Sequence, residues 1–259
     1  MTSPLRRTVQ APRGYWEASR APRYSILFAL PLLVLYHTLA ALLARDPTQS
    51  VRNGADVLLQ WAFAAIIGRQ GPLVLGALLI VTGVWLVARD LRRRGGGVSA
   101  SVFALMFLES TMLALAFGTV VGLVTATLLG RVPLFMHALP ALAASQVEAL
   151  GWWTRVMLSL GAGLYEELLF RVVIVGALFV LAGRLLRWTP RAAGIAAVLL
   201  GALLFSAFHY IGPFGDPLQL ESFVFRFVAG VFFSGMYLLR GFGITAWTHA
   251  LYDLFLLAI

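Results

Sequence analysis

Seven long apolar runs, separated by short stretches rich in arginine, glycine and proline, set the pattern of this chain. They cover residues 24–43, 72–88, 99–129, 152–186, 191–210, 222–239 and 244–259. A helix needs about 20 predominantly apolar residues to cross the hydrocarbon of a bilayer. In lipid the backbone must also satisfy its own hydrogen bonds, which favours helices. The runs therefore predict an all-α, polytopic transmembrane helical bundle of about seven membrane helices. Val57 to Ile67, in the polar interval after the first run, has the character of a helix lying on the membrane surface. Gly95-Gly96-Gly97 reads as a hinge after the second run, and Gly212, Pro213, Gly215, Asp216 and Pro217 form a short loop after the fifth. There is no internal repeat, heptad array or low-complexity tract.

Composition sharpens this picture. Of 259 residues, 60% are hydrophobic and 12% are charged, against about 25% charged in a soluble domain. One bundle without a separate soluble domain is expected. Its parts are an arginine-rich cytoplasmic tail over residues 1–23, N-terminal membrane helices over 24–98, and a helical bundle carrying the chemistry over 99–259. All the basic residues are arginine, and the formal net charge is +9. The arginines cluster at the ends of apolar runs, where they meet lipid headgroups and set topology, so no nucleic-acid partner is expected. With the N-terminus inside, thirteen arginines fall on the inner side and five on the outer. The expected location is the bacterial inner membrane, with a cytoplasmic N-terminus. The first 23 residues lack an early apolar stretch, so no cleavable signal peptide is expected. The absence of cysteine excludes disulfides, thiol nucleophiles and thiolate metal sites.

Against this apolar background the ionisable residues within the runs stand out. Ionisable groups at membrane depth are costly and mark a functional site by default. Tyr165-Glu166-Glu167-Leu168-Leu169-Phe170-Arg171 places three of them in the fourth run. Adjacent residues on a helix point about 100° apart, so Glu166 and Glu167 cannot share one partner. Arg171, four residues after Glu167, lies on the same face and can pair with it, leaving Glu166 free for chemistry. For Glu167 and Arg171 a helix-packing ion pair and a direct catalytic role both remain open. The fifth run ends Phe205-Ser206-Ala207-Phe208-His209, and the seventh holds His249 and Asp253 four residues apart on one face. A histidine backed by a carboxylate has its tautomer and orientation set. His37, and Glu109 beside Ser110 and Thr111, read instead as groups that bond across to a neighbouring helix. His137 lies in a loop and carries no signal. Glu166, Glu167, His209, His249 and Asp253 together make a water-activating site chemically plausible.

The three spacings resemble a family signature. E-E-x-x-x-R is Glu166, Glu167 and Arg171; F-x-x-x-H is Phe205 and His209; H-x-x-x-[N/D] is His249 and Asp253. In this order, each in a membrane helix, they resemble the CAAX-protease and bacteriocin-processing (CPBP, or Abi) family, whose eukaryotic branch contains the Ras-converting CAAX endoprotease. The resemblance covers roughly residues 100–259, and the first two helices carry none of it. It implies that Glu166 activates water with help from His209, and that His249 and Asp253 support the oxyanion of a tetrahedral intermediate. Glu167 and Arg171 complete the first motif in orienting or structural roles. The eukaryotic enzyme has Asn where this chain has Asp253. An amide donates to an oxyanion and an ionised carboxylate cannot. Either Asp253 is protonated or, the preferred reading, it orients His249, which then donates.

The expected activity is that of an intramembrane endopeptidase hydrolysing a peptide bond, near the membrane surface, of a membrane-associated or lipidated protein or peptide. Glu plus two His is also a hydrolytic zinc ligand set, but no compact H-E-x-x-H motif occurs. The resemblance implies a glutamate-dependent, metal-independent enzyme without a cofactor, zinc being the alternative. The competing class is a non-enzymatic membrane immunity or scaffold protein that retains the fold. Depth poses a geometric problem. Counted from the inner arginines, His209 stands about 27 Å along its helix and His249 about 14 Å along its own. A common site then requires tilt, a kink or a late helix start.

Overall fold

The computed structural model describes residues 14–45, 51–130, 150–212 and 215–257. Arg6, Arg7, Arg13, His137 and most of the loop expected from Arg131 onward lie outside the described residues. Nine helices are described: α1 Tyr15–Arg20, α2 Pro22–Leu43, α3 Gly54–Ile67, α4 Gly71–Arg94, α5 Ala100–Leu128, α6 over residues 152–184, α7 Pro190–Phe208, α8 Leu220–Arg240 and α9 Phe242–Leu256. Five stretches are long and apolar enough to cross a membrane: α2, the α3–α4 stretch, α5, α7 and α8. The helices of the other two expected runs, α6 and α9, are not among these five. The protein is an integral membrane protein. Large apolar side chains such as Leu73, Val81, Leu108 and Leu203 point outward, as a lipid-facing surface requires.

α9 is the central helix, packed against α2, α5, α6 and α8. Its composition permits this, because Thr245, Ala246, Thr248 and Ala250 are small and fully buried. Small residues let membrane helices approach closely, where no hydrophobic gain separates helix from lipid. α6 approaches closest at Gly163, where a Cβ would lie 2.3 Å from the Ala246 carbonyl oxygen.

Three expectations change. The tail expected over residues 1–23 is helical from Tyr15 onward. Arg23 is buried, pairs with Asp90 at 3.2 Å and donates to the Gly95 carbonyl at 2.6 Å. These bonds anchor the start of α2 on the glycine stretch after α4. Second, the expected surface helix at 57–67 starts earlier, at Gly54, as α3, and one side of its first turn is buried in the bundle. Asn53 and Asp56 are buried there, because Tyr36 and Glu166 supply their polar partners. The chain then reverses over Gly68–Gln70 and α3 packs back on α4. Third, Arg240, taken as an inner surface marker, is buried against Glu109 of α5. α9 therefore starts inside the bundle, with Gly243 N–H donating to Ser25 Oγ at 2.8 Å.

Candidate active site

The glutamate pair sits where α6 departs from α-helical geometry. Residues Ala162–Glu166 and Leu168–Val175 form π-helical turns, a distortion frequent at functional sites. The wider turn rotates successive side chains, and the two carboxylates find separate partners, as the angular argument required. Glu167 is fully buried, with Arg171 Nε 3.1 Å from its Oε2. The Arg171 guanidinium carbon lies 4.4 Å from the Phe205 ring centroid and 5.3 Å from that of Phe233. Two aromatic faces thus hold the cation while it faces the carboxylate.

His209 is delivered by the end of α7. The helix tightens there, so the His209 N–H bonds to Ser206 O rather than to Phe205 O. The Phe205 carbonyl, an orphan acceptor of the last turn, takes His209 Nδ1–H at 2.8 Å. This explains the F-x-x-x-H spacing: backbone and ring of one residue serve the side chain four positions on, the rings lying 4.8 Å apart. Because a carbonyl can only accept, Nδ1 carries the proton and Nε2 is turned toward Glu166 Oε2 at 3.9 Å. Solvent reach decides whether hydrolysis is possible here. The side chains of Glu166, His209 and Asp253 are 10%, 25% and 28% exposed, so the protein does not seal them completely.

His249 comes from the middle of α9 and stacks on Phe233 with centroids 4.3 Å apart. Its Nδ1–H donates to Glu167 Oε1 at 2.7 Å. Asp253 Oδ2 stands 3.7 Å from the other ring nitrogen, Nε2, beyond hydrogen-bond length. The His249 ring thus has its hydrogen bond with Glu167, and Asp253 stands at ion-pair distance on its other side. A carboxylate four residues along the same helix can approach a histidine, but the one on the facing helix is closer.

Residues 148–255 match the sequence model of a family described as type II CAAX prenyl endopeptidase Rce1-like. This region belongs to the CAAX-protease family. The matched segment contains Glu166, Glu167, Arg171, Phe205, His209, His249 and Asp253. No curated protein and no solved structure matches the chain.

The CAAX-protease region does not hold every group that touches the glutamates. Asn53 Nδ2 donates to Glu166 Oε1 at 2.9 Å from the turn before α3. Sequence reading passed over it. Its one signal was local, an Asn-Gly-Ala-Asp start that suits a helix N-cap. A second polar cluster adjoins it: Tyr36 donates to Asp56 Oδ2 at 2.8 Å, and Arg52 pairs with Asp56 at 3.1 Å. His37 Nε2 bonds across to the Tyr165 hydroxyl at 2.6 Å, beside the glutamates but not on them. Glu109 bonds across to Arg240 and Tyr15. Burial, and the Glu109 carboxylate beside it, push the Tyr15 phenol above its ordinary range, so it stays a donor. Among the described residues no three His, Cys, Asp or Glu side chains are grouped to hold a metal ion.

Proposed function

We propose that the protein is an intramembrane endopeptidase that hydrolyses a peptide bond of a membrane-associated or lipidated protein or peptide. The observation that carries this is the facing of Glu166 Oε2 and His209 Nε2, 3.9 Å apart, at the partly exposed edge of a buried charge cluster. Water between them can donate to both acceptors. Glu166 takes the proton as the water oxygen attacks the peptide carbonyl carbon. It returns the proton to the leaving nitrogen as the carbon–nitrogen bond breaks. His249, with Nδ1–H held by Glu167, donates through a protonated Nε2 to the developing oxyanion. Asp253, close to that nitrogen, tunes its charge. Glu166, His209, His249 and Asp253 touch water or reacting atoms in this scheme. Glu167 positions His249, and Arg171 and Phe205 hold Glu167 and His209.

We propose further that no metal takes part, since the glutamate already serves as base, and that the chain lies in a bacterial inner membrane with its N-terminus cytoplasmic. The arginine distribution supports that orientation. The family's description as a CAAX prenyl endopeptidase makes a prenylated peptide ending in a CAAX sequence the first substrate to try. Convergence of the side chains favours an enzyme over a scaffold or immunity protein, which needs the glutamates only for packing. The test is cleavage of a farnesylated, fluorescence-quenched CAAX peptide by the purified protein in proteoliposomes. Wild type should cleave it, and Glu166→Gln should not. Equal cleavage by both would overturn the mechanism.

A further inference from the structure

Asn53 belongs to none of the three motifs and lies outside the matched region, yet its amide is shared between two tasks. Oδ1 accepts from the backbone N–H groups of Ala55 at 2.9 Å and Asp56 at 3.4 Å, which caps α3. Nδ2 donates to Glu166 Oε1 at 2.9 Å. With the oxygen committed to the cap, the nitrogen has to face the carboxylate, so the amide orientation follows from its bonding rather than from a choice between equivalent fits. The Asn53 backbone N–H donates to the Tyr36 hydroxyl at 3.3 Å, and the residue is 5% exposed. Gly161 makes room for it, since a Cβ there would lie 2.8 Å from Asn53 Cβ. On the other side, a Cβ at Gly54 would meet the Phe208 ring at 3.2 Å, next to His209. The turn before α3 is thus wedged between the two helices that carry Glu166 and His209.

We propose that Asn53 is a positioning residue for Glu166. It engages Oε1 and leaves Oε2, the oxygen facing His209, to take the proton from water. This rests on the peptidase reading, and it extends the working site beyond the matched region into the N-terminal half. An amide suits the task because it donates to a carboxylate without competing for the proton.

Asn53→Asp separates the two tasks. Aspartate caps a helix about as well as asparagine but, when ionised, cannot donate. Thermal unfolding of the full chain in detergent is measured for wild type, N53D, E166Q and the double variant. N53D should lower Tm, and E166Q should remove most of that loss, because the introduced amide can donate back. The same Tm loss in both backgrounds overturns the contact. On the farnesylated peptide, N53D and N53A should lower kcat on the order of 10²-fold with KM unchanged. The acid limb of the kcat profile should also move to higher pH, since Glu166 without its donor holds a proton more tightly. Wild-type kcat and an unmoved limb in both variants overturn the positioning role. Absence of cleavage by the wild type overturns the peptidase reading and the role with it, while the unfolding cycle still decides the contact.

Discussion

Glu109–Arg240 and Glu167–Arg171 are both acid–arginine pairs within the helical bundle, but their carboxylates are bound in different ways. Glu109 is held by both forks of Arg240, from Nε at 2.5 Å and Nη2 at 2.7 Å, and it accepts the Tyr15 hydroxyl as well. Bidentate pairing of this kind is strong and directional. It ties α1, α5 and α8 together, and Arg240 also donates to Ser19 at 3.0 Å. Glu167 is held by Arg171 of its own helix and by His249 of α9. Next to it, Glu166 has one oxygen on Asn53 and the other turned toward His209 at 3.9 Å. A carboxylate whose oxygens are all engaged by fixed donors has little capacity to take a proton, and it serves packing. One with an oxygen left toward a histidine and toward solvent can accept a proton from water. Burial alone therefore does not distinguish a structural from a reactive acid; the engagement of each oxygen does.

The largest expected effect falls on the open carboxylate. Glu166→Ala and His209→Ala should each abolish proteolysis, at least the factor of about 10²–10⁴ that general acid–base help supplies, while membrane insertion stays intact. Wild-type-like turnover of the farnesylated peptide by either variant would erase the distinction between the two acids. Arg171→Ala comes next. It strands the buried Glu167 charge, which costs about 3–5 kcal/mol, so yield and Tm in detergent should fall and activity with them. A stable, well-expressed but inactive variant would place Arg171 in the chemistry instead.

Smaller again is Glu109→Ala. The pair is partly solvated, with 24% of the Glu109 side chain exposed, and loss of the acid should cost about 1–3 kcal/mol. Activity per folded molecule should hold. A dead but stable Glu109→Ala protein would show that the two pairs are not separate. The smallest expected effect is that of a chelator. Activity should survive EDTA or phenanthroline, and elemental analysis should find no stoichiometric zinc. Loss of activity restored by zinc would recast Glu166, His209 and His249 as ligands.

Much of this was legible along the chain. The Glu167–Arg171 pairing was read from a spacing of four, because helix geometry is local and the partners share one helix. His209 was flagged by its spacing from Phe205, although the reason, a helix-end carbonyl bonded to the ring, needed the observed end of α7. For His249 the reading reached Asp253 but not its hydrogen-bond partner, Glu167. The same-helix carboxylate was visible in the sequence, whereas Glu167 lies 82 positions away and on another helix. Asn53, 113 positions from Glu166, left only the signature of a helix cap.

By itself the sequence determined the helices and the residues fit for chemistry. In a bilayer each apolar run has to satisfy its backbone within itself, so element and boundary follow from local composition, and charges inside such runs are too costly to be incidental. Only the tertiary structure decided which carboxylate oxygen meets which donor. That depends on the π-helical turns that rotate α6, on the small residues that bring α9 against Gly163, and on the buried start of α9. These are properties of packed surfaces from distant parts of the chain, and a shift of a few ångströms there exchanges one hydrogen-bond partner for another.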